Sequence, residues 1–387
     1  MKKLLIFFPD RKIEPKGGPA GYLYNLKEGL KSINQTDIDV SFYSGTPISL
    51  EENNELRKRI PKRIKDIRRA YKYSNYLKRK INIEEYVMQY DAIHYHSTED
   101  MYLCRDFLSS YSGKVILTSH TPCVSYKELI GRLNLLDYRL LKKKIDGLVE
   151  MDRYAFTRAD CVVFPCPEAE EPYFNTWEDY ANIRIKKKYR YVPTGIVGCY
   201  AKTTREEYRK KNGIDNEAFV ISYVGRHNEI KGYKDLKEIG VRLLNKHNKD
   251  IYFLIAGKEG PLYRLEDKRW IEVGWTNDPH SLIAASDVFV LPNKETYFDL
   301  ILLEVISLGI PAIISSTGGN KYFRQYNLPG LRLYETIDEA CGILSEFKTY
   351  KRNQLEKIGN ENKELFEKNF NIEVFANNYI SMISSIV

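Results

Sequence analysis

Two basic residues follow a short apolar segment in the second half of the sequence. Gly225 and Arg226 come directly after VISYV, and Lys231 lies five residues further on. Ligands of α/β folds bind at the carboxyl ends of parallel strands, so we expect both cations to face a cleft. Two fixed cations match the two charges of a diphosphate. The alternative is a surface loop with ordinary solvated cations.

A carboxylate interrupts the apolar segment LILLEVISLG. The pattern predicts a helix that begins near Leu300, has Asp299 as its N-cap and ends at Gly309. Glu304 inside this helix would be costly to bury without a partner. The two hydroxyl groups of a ribose would supply one. Alternatively, Glu304 turns to solvent at the edge of the apolar stripe.

A glycine-rich turn, GGPAGYLYNL, follows the first predicted strand, LLIFF. Gly17 and Gly18 would let the backbone approach a ligand, and the helix that follows would offer free N–H groups to an anion. The spacing is not the dinucleotide-binding fingerprint, because Pro19 interrupts it. The alternative is a turn that is rich in glycine for packing reasons.

Three histidines lie on or at the ends of predicted strands. His94 and His96 alternate on one strand, and His120 ends the strand VILTSH. No cysteine or carboxylate with matching spacing completes a metal site, so we expect none. We interpret His94 as a structural histidine, whereas the strand-end positions of His96 and His120 favour a cleft.

The segment 57–80 contains twelve basic residues and one acidic residue, a net charge of 12 − 1 = +11 in a chain of net charge +8. Its apolar residues recur every three or four positions, which predicts one helix face. Such a helix can lie on an anionic membrane. The alternative is a helix packed on the core with solvated cations. Nucleic acid is not expected, because no recognition motif accompanies the charge. The candidate membrane residues are Arg57, Lys58, Arg59, Lys62, Arg63, Lys65, Arg68 and Arg69.

Strand patterns alternate with helix patterns along the whole chain, which predicts an α/β fold with parallel sheets. The alternation restarts near YVPTGIVG (191–198), so we expect two Rossmann-like, doubly wound domains that face each other across a cleft. No apolar run reaches the roughly 18 residues of a membrane span. The apolar run at the start is too short for a signal peptide, and the six cysteines are scattered. We therefore expect a cytoplasmic protein, or one bound peripherally to the inner face of the plasma membrane.

Together these motifs resemble the GT-B glycosyltransferases of family 4. The segments that carry the resemblance are GGPAG, VGRHNEIKGY, IYFLIAG, the run WTNDPHSLIAASDVFVLPN after Gly274, and LILLEVISLGIPAIISSTGG. The resemblance implies a retaining transferase without a catalytic metal or other cofactor. It also implies an acceptor-binding domain (1–195), a nucleotide-sugar-binding domain (196–365) and a C-terminal helix (366–387) that crosses back to the first domain.

The resemblance also implies roles for individual residues. Arg226 and Lys231 would bind the diphosphate, Glu304 the ribose, and His120 would lie near the reacting centre. Thr317 and Gly318 would lie close to the donor phosphates. Apart from the resemblance, we expect His96, at a strand end, and Tyr22 to lie on the acceptor side. The donor would be a nucleoside-diphosphate sugar, with UDP or GDP as the nucleotide.

One departure from the family pattern concerns the donor sugar. Eight residues, not seven, separate Glu295 from Glu304, so Thr296 falls where the family has its first glutamate. Phe298, Asp299 and Leu300 fall on the family's Phe-Gly-Leu. Either Glu295 reaches the sugar through a bulge, or Thr296 and Asp299 contact it. Asp299 would be tolerated there if it caps the helix or accepts sugar hydroxyls.

The sequence therefore predicts a glycosyltransferase that acts on a cell-surface glycan, a teichoic acid or a lipid-linked acceptor. Two alternatives remain at this point. One is a nucleotide-sugar 2-epimerase of the same architecture. The other is a non-enzymatic protein whose basic segment binds membranes or polyanions.

Overall fold

The structure is a computed structural model of the 387-residue chain. It describes residues 1–9, 12–15, 18–33, 37–43, 61–76, 78–81, 83–121, 123–124, 126–127, 133–185, 188–246 and 250–387. Among the described helices, none combines the length and the apolar composition needed to cross a bilayer.

A six-stranded parallel sheet forms the first half of the chain, with the strand order β2-β1-β3-β4-β5-β6. Its strands are β1 (Lys2–Phe7), β2 (Ile38–Phe42), β3 (Ala92–Tyr95), β4 (Lys114–Leu117), β5 (Cys161–Phe164) and β6 (Tyr189–Tyr191). Its helices are α1 (Pro19–Ser32), α2 (Lys62–Tyr76), α3 (Glu84–Val87), α4 (Thr98–Leu103), α5 (Arg105–Leu108), α6 (Leu135–Arg158), α7 (Glu171–Thr176) and α8 (Tyr180–Ile183). A 3₁₀ helix, Pro167–Glu170, precedes α7.

A second six-stranded parallel sheet follows, with the strand order β12-β11-β10-β7-β8-β9. Its strands are β7 (Phe219–Val224), β8 (Ile251–Ala256), β9 (Trp270–Gly274), β10 (Val288–Leu291), β11 (Ala312–Ser315) and β12 (Leu331–Tyr334). The helices are α9 (Arg205–Lys211), α10 (Tyr233–Lys246), α11 (Pro279–Ala284), α12 (Leu300–Ser307), α13 (Ile337–Thr349), α14 (Arg352–Asn369) and α15 (Ile372–Ser384). A 3₁₀ helix, Gly318–Tyr326, follows β11.

Both sheets are covered by helices on their two faces, which explains why their central strands are almost continuously apolar. All four residues of β3, β5 and β10 are buried. Each sheet has the strand order expected of a doubly wound unit, with the order reversing beside its first strand. The predicted α/β fold class with two Rossmann-like, doubly wound units is thereby confirmed.

The end of the chain returns to the first sheet. Helix α14 ends at Asn369, and Asn371 caps α15 by accepting hydrogen bonds from the backbone of Glu373 and Val374. A parallel bridge joins Ile196 to Asn371, so both crossings between the units lie side by side. The single helix predicted from residue 366 is therefore broken, and the part that returns begins at Ile372. The domain boundaries at 195 and 365 stay predictions.

Helix α15 packs on α1 and reaches β3. A Cβ added at Gly29 of α1 would lie 2.3 Å from the carbonyl oxygen of Ile372, so only glycine permits this approach. Further along α15, the Tyr379 hydroxyl lies 2.7 Å from Nδ1 of His94. Phe375, Tyr379 and Ile383 are buried in the core of the first sheet.

Candidate functional site

The loop after β7 carries the two predicted diphosphate ligands, and a buried tyrosine shapes it. The Tyr223 hydroxyl lies 3.0 Å from the carbonyl oxygen of Arg226 and 3.5 Å from that of Lys231. Gly232 ends the loop with φ 65°, and a Cβ there would lie 1.6 Å from the carbonyl oxygen of Pro292. This glycine therefore lets the loop lie directly against the end of β10.

Lys231 is bound to Asp299. Its ammonium group lies 2.8 Å from Oδ1 and 2.7 Å from Oδ2 of that carboxylate, and the Asn293 amide donates to the same carboxylate. Asp299 does occupy the N-cap position of α12, but its side chain makes no capping hydrogen bond. The expectation that it caps the helix is wrong for the side chain, because Lys231 and Asn293 hold the carboxylate.

Arg226 differs from Lys231. Its side chain is exposed, and no carboxylate in the described part of the chain pairs with its guanidinium group. Arg226 thus presents an uncompensated charge at the carboxyl edge of the second sheet, where the geometry suits an anionic ligand.

Glu304 of α12 has a partner that the sequence did not suggest. Nε2 of His280 lies 3.1 Å from Oε2 of Glu304, and both side chains are partly exposed. Hydrogen bonds with the Cys199 side chain and with Glu304 raise the pKa of His280 to about 10, although burial opposes this shift. The only sequence signal was that His280 follows Pro279 in a short capped helix, and it did not indicate this contact.

His120 lies at the edge of the first sheet in a left-handed backbone conformation, φ 59°. Its Nε2 is 2.7 Å from Nδ1 of His96, and the Tyr22 ring meets the His120 ring edge to face, with 4.6 Å between centroids. His96 is completely buried, and Tyr22 is also buried. Neither lines an open surface, so the expected acceptor-side contacts need a correction: both residues lie behind His120 and support it.

Burial sets the charge of this histidine group. Burial holds the pKa of His96 well below its ordinary value, and the neighbouring imidazoles of His94 and His120 lower this pKa further. For His94, burial and the charge of His120 lower the pKa to about 3. Both nitrogens of His94 are bonded, to Tyr379 and, at 2.9 Å, to Thr118. These contacts agree with a structural role for His94.

Tyr297 brings the second unit to His120. Its ring centroid lies 6.4 Å from that of His120 and 5.5 Å from that of Phe164, and its hydroxyl donates to the carbonyl oxygen of Val163 at 3.3 Å. Tyr297 was not among the predicted site residues, since nothing in its local sequence pattern distinguishes it from the other tyrosines. Its contacts place the loop after β10 next to His120.

The loop after β11 lies against the loop after β10. Gly318 has φ 43°, and a Cβ there would lie 2.2 Å from the carbonyl oxygen of Thr296. The Thr317 hydroxyl donates to the carbonyl oxygen of Lys294 at 3.0 Å. The first unit also reaches this loop, because Glu171 accepts a hydrogen bond of 3.4 Å from the Gly318 backbone and pairs with Lys321. The backbone N–H group of Gly318 and the ammonium group of Lys321 thus hold the Glu171 carboxylate at this loop.

The other predicted donor-sugar residues separate into buried and accessible groups. Thr296 is buried, and Phe298 packs in an aromatic cluster with Phe323 and Phe370. Phe298 is therefore part of the interior rather than a ligand contact. Glu295 is half-buried, and it makes no hydrogen bond or ion pair with any described residue. Burial raises the pKa of Glu295. Leu300 begins α12 and is partly buried.

The remaining predicted residues lie at the first unit. Gly18 is the N-cap of α1, with φ 81° and open space where a Cβ would be. Gly17, Arg57, Lys58 and Arg59 lie outside the described residues, as do the side chains of Lys62 and Arg69. Lys65 and Arg68 are exposed. Arg63 is not simply solvated, because it donates to both carboxylate oxygens of Asp137 at 2.8 and 2.9 Å.

Within the described chain, no group of three or more His, Cys, Asp or Glu side chains is placed to hold a metal ion.

The site and fold can be compared with known proteins. Residues 218–338 match the family model described as Glycosyl transferases group 1. An uncharacterized glycosyltransferase of Methanocaldococcus jannaschii is 24% identical over 305 residues, which cover 73% of this chain and 72% of that protein. The UDP-Gal:alpha-D-GlcNAc-diphosphoundecaprenol alpha-1,3-galactosyltransferase of Escherichia coli is 34% identical over 119 residues, which cover 28% of this chain and 30% of that protein. The solved structure of sucrose-phosphate synthase from Thermosynechococcus elongatus superposes with a TM-score of 0.67 at 16% identity, covering 100% of this chain and 99% of that one.

The two parallel sheets, the match to the group 1 model and the glycosyltransferase relatives together define a glycosyltransferase of the GT-B architecture. The chain is such an enzyme, and its second unit matches the model of the group 1 glycosyl transferases over residues 218–338.

Proposed function

We propose that this enzyme transfers a sugar from a nucleoside-diphosphate donor with retention of anomeric configuration, in the manner of family 4. The observation that carries the proposal is the placement of Arg226 and Lys231 on the loop after β7 and of Glu304 on the helix that follows β10, the strand beside β7. Two cations suit the diphosphate, and a carboxylate on the neighbouring helix suits the ribose hydroxyls. All three residues lie in the part of the chain that matches the group 1 family.

In the proposed reaction, the bond between the anomeric carbon and the diphosphate oxygen breaks first. Arg226 and Lys231 stabilise the negative charge that builds on the leaving diphosphate. The acceptor oxygen bonds to the anomeric carbon on the face that the diphosphate leaves. The acceptor proton passes to an oxygen of the leaving diphosphate, so no strong protein base is required. We expect no metal ion or other cofactor to take part.

The donor sugar would lie between the loop after β10 and His120. Tyr297 contacts His120 at this place, which supports a reacting centre between the two units. Of the alternatives raised by the sequence, Glu295 fits the sugar hydroxyls best, since it has no partner in the described chain. Asp299 is held by Lys231 and Asn293, and Thr296 is buried.

For the acceptor, we propose a cell-surface glycan, a teichoic acid or a lipid-linked saccharide at the inner face of the plasma membrane. The name of the galactosyltransferase relative gives it a UDP-sugar donor and a diphosphoundecaprenol acceptor, which supports this class. UDP or GDP is the donor nucleotide that we expect. The cations of residues 57–80 would favour an anionic membrane over nucleic acid.

The test has two parts. A thermal-shift panel of UDP-, GDP-, ADP- and dTDP-sugars identifies the nucleotide, because ligand at 100 times its dissociation constant adds about 2.7 kcal/mol of stability. Anomer-resolved product analysis, with and without EDTA, then tests the reaction. We expect release of the nucleoside diphosphate, an unchanged anomeric configuration and activity in EDTA. Loss of activity in EDTA with rescue by Mg²⁺ would contradict the metal-free mechanism, and a C2-inverted free sugar would indicate an epimerase.

A further inference from the structure

The beginning of α6 presents leucines to solvent. Leu135, Leu136 and Leu140 are 78%, 65% and 82% exposed, although α6 buries Leu141, Ile145 and Leu148 against the first sheet. Leu136 and Leu140 lie one turn apart on one side of the helix. Exposed leucines that cluster in this way mark an interaction site more often than single ones do. We call Leu135, Leu136 and Leu140 the leucine surface.

Cations surround the leucine surface. Arg139, Lys142 and Lys143 are exposed on the same helix, within one turn of a leucine. The neighbouring helix α2 adds exposed Lys65 and Arg68. After Asp137, the next acidic residue on α6 is Asp146, which is six residues beyond Leu140.

The one acidic residue among these leucines is neutralised. Asp137 is buried, and Arg63 of α2 donates to both of its carboxylate oxygens. A second contact between the two helices places the Lys144 ammonium 3.3 Å from the centre of the Tyr71 ring. These contacts fix α2 beside α6. The folded first unit therefore holds the cations of both helices around the leucine surface.

The leucine surface lies on the side of the first sheet that carries His120, well beyond the sheet edge. Asp152 of α6 accepts a hydrogen bond from Thr98, just after β3, so at about 1.5 Å per residue the leucines lie roughly 18–25 Å further along the helix. Strand β4 ends at Leu117, His120 follows it, and α6 is the next long helix of the chain. A helix that follows a parallel strand begins near the carboxyl end of that strand. A partner bound to the leucines would therefore lie on the same side of the sheet as His120, roughly 20 Å beyond the sheet edge.

We propose that the leucine surface inserts into the boundary between headgroups and acyl chains of an anionic lipid bilayer. Arg139, Lys142, Lys143, Lys65 and Arg68 would contact the lipid phosphates around it. A second copy of the chain fits less well, because a two-fold contact would bring the same cations together. The inference rests on the proposed function in one respect. A lipid-linked acceptor explains why the edge of the first sheet that carries His120 would face a membrane. It differs from the basic-segment hypothesis, since the inserting residues belong to α6.

The experiment is sedimentation of the full chain with vesicles of phosphatidylcholine, with or without phosphatidylglycerol. The parent protein should bind the anionic vesicles and keep part of its binding at high salt, because insertion is not screened. The leucine variant is a triple variant that carries Leu135→Ser, Leu136→Ser and Leu140→Ser. It should bind the anionic vesicles at least about tenfold more weakly than the parent. A second triple variant carries Arg139→Ser, Lys142→Ser and Lys143→Ser. Its vesicle binding should be weaker than the parent's mainly at low salt. Val241→Ser, at an exposed position of α10 on the second unit, is the matched control.

Vesicle binding by the leucine variant that equals the parent's would overturn the proposal. So would light scattering that shows a parent dimer and a monomeric leucine variant, since the leucines would then bind a second copy. Far-UV circular dichroism and thermal unfolding of the leucine variant should match the parent's, which excludes misfolding of the first unit. Sedimentation does not require catalysis. If the parent protein has no transferase activity, the proposed function is contradicted, whereas the membrane proposal is still decided by the vesicle binding of the leucine variant.

Discussion

The ammonium group of Lys231 lies 2.7 and 2.8 Å from the two carboxylate oxygens of Asp299, 68 residues later in the chain. Both side chains keep some solvent exposure, 25% for Lys231 and 20% for Asp299. A diphosphate can therefore reach Lys231, but it has to compete with a carboxylate that is already bound. Arg226, whose charge is unpaired in the described chain, would make the first contact with the ligand.

Asp299→Asn should tighten nucleoside-diphosphate binding by up to about fivefold, because an accessible ion pair of this kind contributes about 0.2–1 kcal/mol. The amide keeps the shape of the side chain and removes its charge. Isothermal calorimetry with UDP and GDP measures the effect. Unchanged nucleotide affinity together with a higher KM for the sugar nucleotide would instead place Asp299 on the donor sugar.

Arg226→Ala and Lys231→Ala should each lower kcat about a hundredfold and leave the fold intact. The loss of one charged group that stabilises a transition state typically costs about 3 kcal/mol. Lys234→Ala, an exposed cation three residues after Lys231, is the matched control. If both variants stay within about threefold of the parent in steady-state kinetics, neither residue binds the diphosphate.

Glu304→Gln should weaken binding of the nucleoside diphosphate by about ten- to hundredfold. A hydrogen bond to a charged group contributes roughly 1.5–3 kcal/mol, and the amide offers only one acceptor oxygen. Calorimetry with the nucleoside diphosphate is the measurement. An unchanged affinity would mean that Glu304 does not bind the ribose and serves His280 alone.

The stability of the protein should fall between pH 7 and pH 10 in a way that depends on His280. Its pKa rises from 6.5 to about 10 in the folded chain, so the folded state holds this proton more tightly than the unfolded state. The resulting stabilisation is complete below pH 6.5 and is lost as the pH rises through about 10. Thermal unfolding of His280→Gln should therefore depend less on pH in this range. Parallel curves for the variant and the parent would contradict the assignment.

Gly232→Ala should destabilise the chain more than Gly213→Ala does. Both glycines have nearly the same backbone, φ 65° and φ 66°, so the left-handed strain of about 1–2 kcal/mol is matched. Only at Gly232 would the new Cβ meet a neighbour, the carbonyl oxygen of Pro292, whereas the space beside Gly213 is open. Chemical denaturation measures the difference. Equal losses would mean that the loop after β7 moves away from β10 without a cost.

Local patterns predicted the positions of several site residues. Arg226 was predicted at a strand end because an apolar run followed by glycine and charge is a local signal, and β7 ends two residues before Arg226. The start of α12 at Leu300 was predicted equally well. The residues that were missed depend on partners far along the chain. Tyr297 contacts Val163, and His280 contacts Glu304 on another helix, which no spacing reveals.

The errors have the same origin. Asp299 has the sequence position of a cap, but the cation that holds it comes from the loop after another strand. His96 was placed at a cleft because it ends a strand, and only the packing of α1 and β4 around it shows that it is buried. The break before α15 did have a local signal, since Asn371 followed by Ile372 and Glu373 is typical of a helix start.

The return of α15 to the first sheet affects how this protein is made on the ribosome. Phe375, Tyr379, Met382 and Ile383 fill a core whose other members come from the first sheet and α1. That core stays incomplete after the last strand of the first sheet has been synthesised, until α15 emerges. At about 5–20 residues per second, this delay is roughly ten to forty seconds. A nascent chain therefore exposes an apolar face of its first unit throughout synthesis of the second, and the first unit is complete only after α15 has left the ribosome.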